Sequence, residues 1–242
     1  MEAKAITLSA VEKRFKHKQV IAPLSLEIPT GQLIGLLGPS GCGKTTLIKL
    51  IMGMLKPDQG CIHIFNYAVP HKQLLMDIGY MAQSDALYTD LTGAENLNLF
   101  AKLYGLSKQE RENRVQYAAN LVHLTEDLNE KVLNYSGGMK RRLSLAIALI
   151  QNPKLLILDE PTVGIDPVLK REIWQELIRL KEEEQKTILV TTHAMDEAER
   201  CDQLAMLRDG QIIAYGTPHE LKLRYDAKDF DDVFLKAGGE VV

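Results

Sequence analysis

Residues 33–46 read Leu-Ile-Gly-Leu-Leu-Gly-Pro-Ser-Gly-Cys-Gly-Lys-Thr-Thr, an apolar run that breaks into a glycine-rich turn ending in Lys44, Thr45 and Thr46. Gly38 and the triplet Gly43-Lys44-Thr45 stand at the Gly-x4-Gly-Lys-Thr spacing of a phosphate-cradling loop. Glycines at 38, 41 and 43 let the backbone turn sharply and aim successive N–H groups inward, where a Cβ would crowd the phosphates. Lys44 supplies a point charge for β/γ oxygens, and the Thr45 hydroxyl suits Mg²⁺. The apolar stretch Leu47 to Met54 predicts a helix behind the turn.

Further along, Leu155-Leu156-Ile157-Leu158 ends in Asp159-Glu160. Four apolar residues before an acid predict the carboxyl end of a buried parallel strand, the usual ligand-facing edge of an open α/β sheet. Asp159 is the candidate Mg²⁺ ligand, and Glu160 the candidate base that orients and deprotonates an attacking water. A second apolar strand, Thr187 to Thr192, ends at His193, which should reach the same edge and hydrogen-bond a γ-phosphate. Gln83 closes the short apolar run Ile78 to Met81, where a neutral amide can contact Mg²⁺ or the water. Ser136, Gly137 and Gly138 open a helix and offer bare backbone N–H groups to an anion.

These elements, in this order, resemble the nucleotide-binding subunit of an ATP-binding cassette (ABC) transporter, from about Ile6 to about Leu223. The resemblance implies that Gly38, Pro39, Ser40, Gly41, Cys42, Gly43, Lys44, Thr45 and Thr46 bind ATP. It makes Gln83 the Q-loop glutamine, Ser136 to Met139 the signature motif, and Asp159 with Glu160 the Walker B pair. It likewise makes Gly164-Ile165-Asp166 the D-loop and His193 the switch histidine. Catalysis then falls to Glu160, His193, Lys44 and Gln83, and the metal to Thr45, Gln83 and Asp159. Phe15 aligns with the aromatic that stacks on adenine, a contact of roughly 1–3 kcal/mol that tolerates any purine. The signature carries Tyr135 and Met139 where leucine and glutamine are commonest, but the Ser136 hydroxyl, the glycine amides and the positive helix end remain. In this form, YSGGMKRR resembles the type-2 export group.

The fold implied is α/β: a P-loop NTPase (RecA-like) core with a mostly parallel sheet, an N-terminal antiparallel β part and an inserted α-helical subdomain. Within a single ABC ATPase domain, residues 1–84 and 152–223 form the core lobe, 85–151 the helical subdomain and 224–242 a short tail. Implied partners are a second ABC ATPase subunit, identical or paralogous, whose signature motif closes over this chain's ATP, and a separate transmembrane permease. The expected location is cytoplasmic, peripheral on the inner face of the cell membrane. Ala86, Leu87, Tyr88 and Leu91, in a polar stretch after Gln83, are the candidate docking surface. Two alternatives stand beside the exporter: a short-chain ABC importer ATPase, and a soluble ABC ATPase acting on ribosomes or DNA.

Composition agrees with this reading. A chain of 242 residues with 45% apolar and 25% charged residues can bury a sizeable core. Net charge −3 gives no electrostatic case for nucleic acid. No apolar run approaches the ~18 residues of a membrane span, and Met1 to Ala10 lacks a signal-peptide core. The short stretch after Lys222 is too small for the C-terminal β-domain of sugar importers. Cys42, Cys61 and Cys201 lack metal spacing and suggest a reducing compartment, with Cys42 open to alkylation or oxidation. Histidines 17, 63, 71, 123 and 219 read as surface or core, Arg14, Lys16 and Lys18 as a surface turn, and Lys181 to Lys186 as a solvated charge run. Capping boxes at Ser107/Glu110 and Thr217/Glu220, a hairpin turn at Asp209-Gly210, and Asp166 before Pro167 mark element ends.

Overall fold

Two long antiparallel strands, β1 (Lys4–Phe15) and β2 (Lys18–Pro29), open the chain. The computed structural model describes residues 3–84 and 86–239. Asp85, where the sequence puts the start of the helical stretch, and residues 240–242 of the tail lie outside the described residues. In chain order, β3 (Leu33–Leu37) and α1 (Lys44–Ile51) come next, then β4 (Gln59–Ile64) and β5 (Tyr67–Ala68). The short helix α2 (Leu74–Asp77) leads into β6 (Ile78–Met81). Three helices follow: α3 (Gly93–Leu103), α4 (Lys108–Leu121) and α5 (Gly137–Leu149). Then come β7 (Leu155–Asp159), α6 (Pro167–Glu184), β8 (Thr187–Thr192) and α7 (Met195–Ala198). The hairpin β9 (Gln203–Arg208) and β10 (Gln211–Gly216) precedes α8 (Pro218–Arg224) and α9 (Phe230–Ala237).

The chain packs as two units, Met1–Leu74 with Thr187–Val242, and Leu75–Lys186. In the first, β2, β1, β4 and β5 form an antiparallel sheet in that order. Leu24, Leu26 and Ile28 alternate with exposed Ser25 and Glu27, the period of a strand with one wet face. Register breaks between Leu8 and Val11, where Ala10 takes φ 47°; this bulge interrupts the alternation, so β1 and β2 run further than their apolar cores suggest. A second group in this unit pairs β3 in parallel with both β8 and β9, and β10 antiparallel to β9. Every residue of β3 and of β8 is buried, as strands covered on both faces require.

In the second unit β6 and β7 pair in parallel, Met81 opposite Leu158. Helix α6 buries Leu169, Ile173, Trp174, Leu177 and Leu180 along one stripe. Asp166 caps it, accepting from the Val168 and Leu169 N–H groups at 3.1 and 3.0 Å, with Pro167 in the first turn. The capping boxes expected at Ser107/Glu110 and Thr217/Glu220 are formed, and Thr92/Glu95 makes a third.

Two local expectations are corrected. Helix α1 ends at Ile51 rather than Met54, because Gly53 at φ 70° leaves the helical region. Lys186 is buried, not solvated: its ammonium donates to the Pro153 carbonyl at 2.8 Å and pairs with Glu184 at 3.3 Å. The stretch after residue 224 contains α9, whose Phe230 and Val233 are buried.

Candidate active site

In the first unit the glycine loop leaves the carboxyl end of β3. Gly38 is forced there by close approach, since a Cβ would lie 2.2 Å from the Leu207 carbonyl oxygen. Gly43 caps α1 at φ 113°, and a Cβ would meet Ile21 Cδ1 at 2.9 Å and the Val20 oxygen at 3.0 Å. Gly38 and Gly43 therefore answer to neighbouring β9 and β2, whereas a Cβ at Gly41 would meet nothing within 4 Å. The buried Lys44 ammonium bends back to the Gly38 and Pro39 carbonyls at 2.6 and 3.2 Å. Helix α1 has no side-chain cap and no acid in its first turn, so its first N–H groups and its positive end suit an anion. Thr45 and Thr46 are half-buried, while Pro39, Ser40 and Gly41 are exposed.

His193 shares that edge. Leu37 at the end of β3 lies opposite Thr192 at the end of β8, so Gly38 and His193 leave adjacent parallel strands at the same level. The Thr192 hydroxyl donates to buried Glu197 and accepts from the Ala194 N–H, which fixes the turn carrying the exposed imidazole. Phe15, at the end of β1, is 44% exposed. The Lys13 ammonium lies 5.5 Å from its centroid and is itself tied to Asp58. The expected Cys42 reactivity is not supported: the thiol is buried, and desolvation raises its pKa against the lowering pull of Lys44.

In the second unit Asp159 ends β7 and is 1% exposed, while Glu160 follows half-buried with φ 53°, a left-handed backbone that is strained for a non-glycine. Gln83 stands just beyond the end of β6, exposed. Because Met81 pairs with Leu158, both loops leave the same edge. Arg141, buried in the second turn of α5, joins them. Its Nη1 donates to the Ala82 and Gln83 carbonyls at 2.7 and 3.0 Å, and its Nη2 to the Asp159 carbonyl and, at 2.7 Å, to that of Glu160. Ser136 caps α5, accepting from the Met139 N–H at 3.2 Å, which leaves its own hydroxyl proton to donate outward. Ser136 and Gly137 are exposed.

The profile described as ABC transporter matches residues 21–163, a span holding the glycine loop, Gln83, Ser136, Asp159 and Glu160. The chain belongs to the ABC transporter family. Nod factor export ATP-binding protein I of Rhizobium etli is 42% identical over 220 residues, covering 90% of this chain and 69% of the relative. A solved ATP binding subunit of an ABC transporter aligns with a TM-score of 0.89 at 27% identity, over 97% of this chain and 99% of its own. A dimeric post-hydrolysis state of the ATP-binding cassette MJ0796, bound to ADP and Pi, gives 0.81 at 29% identity, over 88% and 98%. This ABC chain is an ATP-binding and ATP-hydrolysing subunit that uses ATP with Mg²⁺.

The residues present fit that ligand pair. The Lys44 cation already sits against oxygen acceptors, and the open α1 start suits the triphosphate. Among the described residues no three His, Cys, Asp or Glu side chains gather for a metal. Magnesium needs none, because it takes one or two carboxylates and fills its shell with phosphate oxygens and water. Sequence reasoning missed Arg141 and Asn96. The buried Asn96 amide bridges the Tyr88 backbone, accepting from its N–H at 3.0 Å and donating to its carbonyl at 2.9 Å. The available signal for Arg141 was a charge on the α5 stripe that continues through Leu145 and Ala148, both buried.

Proposed function

We propose that this ABC subunit drives an exporter. Two copies, or one copy and a paralogue, close around two ATP molecules on the cytoplasmic face of the cell membrane and pull on a separate transmembrane permease. The exposed start of α5 carries the dimeric reading. An accessible Ser136 hydroxyl and two glycine N–H groups, with no acid in the first turn, form an anion site facing solvent. The Rhizobium relative's name supports export.

In this reading Lys44 and the N–H groups of residues 40–46 hold the triphosphate, and Phe15 stacks on the base. Glu160 takes a proton from the attacking water, while His193 donates to the γ-phosphate. Bound magnesium would neutralise charge on the phosphates, with Thr45, Asp159 and Gln83 as the residues to hold it. Asp166 serves as helix cap and as D-loop residue at the interface. The permease docks on the loop after Gln83, where Ala86 and Tyr88 are exposed and Leu87 and Leu91 half-buried. Among the described residues no helix is long and apolar enough to cross a membrane, which fits a path supplied by another polypeptide.

Affinity capture of this chain from detergent-solubilised membranes tests the reading. A polytopic membrane protein should copurify, and the complex should release phosphate only with magnesium. Copurification with ribosomes or DNA instead would contradict it.

A further inference from the structure

A buried arginine that donates to four main-chain carbonyls in two separate loops is an expensive way to pack a helix. Removing a cation from water is costly unless charge-assisted bonds replace the hydration, and Arg141 is 7% exposed. Its partners are the carbonyls of Ala82, Gln83, Asp159 and Glu160. The planar fork sends one nitrogen to each loop, a reach that the single ammonium of lysine cannot match.

We propose that Arg141 is a positioning residue for hydrolysis, holding the Gln83 and Glu160 backbones in register with the start of α5. The proposal rests on Glu160 being the base. Glu160 occupies a left-handed φ of 53° that relaxes unless its surroundings hold it. The same guanidinium belongs to the helix whose first turn carries Ser136. Movement of that helix start under a bound phosphate is therefore passed to both loops through one rigid group. Arg141 touches neither water nor phosphate in this scheme, so it affects rate rather than grip.

The test compares Arg141→Lys and Arg141→Gln in this chain, each alone and combined with Glu160→Gln. We expect the Lys variant to lower kcat about 10- to 100-fold, in line with small misplacements of catalytic groups, with KM for ATP within about twofold. On the Glu160→Gln background the same change should cause no further loss. Amide hydrogen exchange of the nucleotide-free variants should rise in segments 81–84 and 159–164 and stay unchanged in 38–46. An unaltered kcat, a loss that multiplies on the Glu160→Gln background, or exchange raised uniformly along the chain overturns the proposal. Normal turnover by Glu160→Gln alone overturns the base assignment and the proposal with it. If Arg141→Gln fails to fold, the Lys variant carries the comparison.

Discussion

The glycine loop after β3 and the Glu160 loop after β7 both leave the carboxyl end of a buried parallel strand, yet different forces hold them. At Gly38 the neighbouring backbone leaves no room for a Cβ, at Gly43 the space is tight and φ is 113°, and Lys44 closes onto carbonyls of its own loop. Around Glu160 the backbone is strained, and an arginine from another element meets its carbonyls. The first loop is built by local sterics. The second depends on a remote side chain, so its geometry can follow the movement of a helix. A rigid grip and an adjustable trigger are what a nucleotide-driven motor needs.

Breaking each loop at its polar group gives the largest effects and should separate grip from trigger. Glu160→Gln is expected to lower phosphate release roughly 10²–10⁴-fold while keeping ATP affinity, read by turnover and by equilibrium nucleotide binding. Lys44→Ala should lower turnover roughly 10²–10³-fold, as for a lost phosphate donor, and should weaken ATP binding as well. Equal loss of affinity in both variants would erase the distinction.

Backbone substitution probes the sterics directly. Gly43→Ala should cost about 1–3 kcal/mol of stability, measured from denaturant midpoints, because φ 113° and contacts to Val20 and Ile21 oppose a methyl group. A neutral result would mean that the loop yields. A smaller effect tests the unusual signature residue. The Tyr135 hydroxyl donates to the Asp127 carbonyl at 2.8 Å, so Tyr135→Phe should cost about 1 kcal/mol and leave turnover intact.

The smallest effect is in pH. Hydrogen bonds from their helix starts depress the carboxyl pKa of Glu95, Glu110 and Glu220 below the ordinary 4.5, and that of Asp166 below 3.8. A depressed native pKa contributes stability that is complete above the unfolded value and disappears as pH falls through the native one. Thermal melts should therefore be flat in this respect above pH 5 and decline below about pH 4.5. Replacing Glu110 by Gln should remove part of that slope.

What could be read from the sequence follows the same division. The glycine loop, the Asp159 strand and the His193 strand announce themselves because local spacing and apolar runs specify them; β6, β7 and β8 begin and end where the sequence places them. The reach of Arg141 was illegible, since its partners are backbone carbonyls that any residue would supply. Burial of Lys186 was hidden likewise, because a charge beside Glu184 reads as solvated until the Pro153 carbonyl is seen beneath it. The strand bulge at Ala10 escaped because it is a local break in pairing, whereas helix α9 was overlooked although Phe230, Val233, Phe234 and Ala237 stand at helical spacing behind an Asp229 cap.

Sedimentation of the Glu160→Gln variant with magnesium and ATP tests the central claim most directly, that Lys44 of one protomer and Ser136 of another hold the same triphosphate. A dimer should form with ATP, fall apart with ADP and be lost when Ser136 is replaced by Ala. A species that stays monomeric with ATP, even in the presence of its membrane partner, would contradict it.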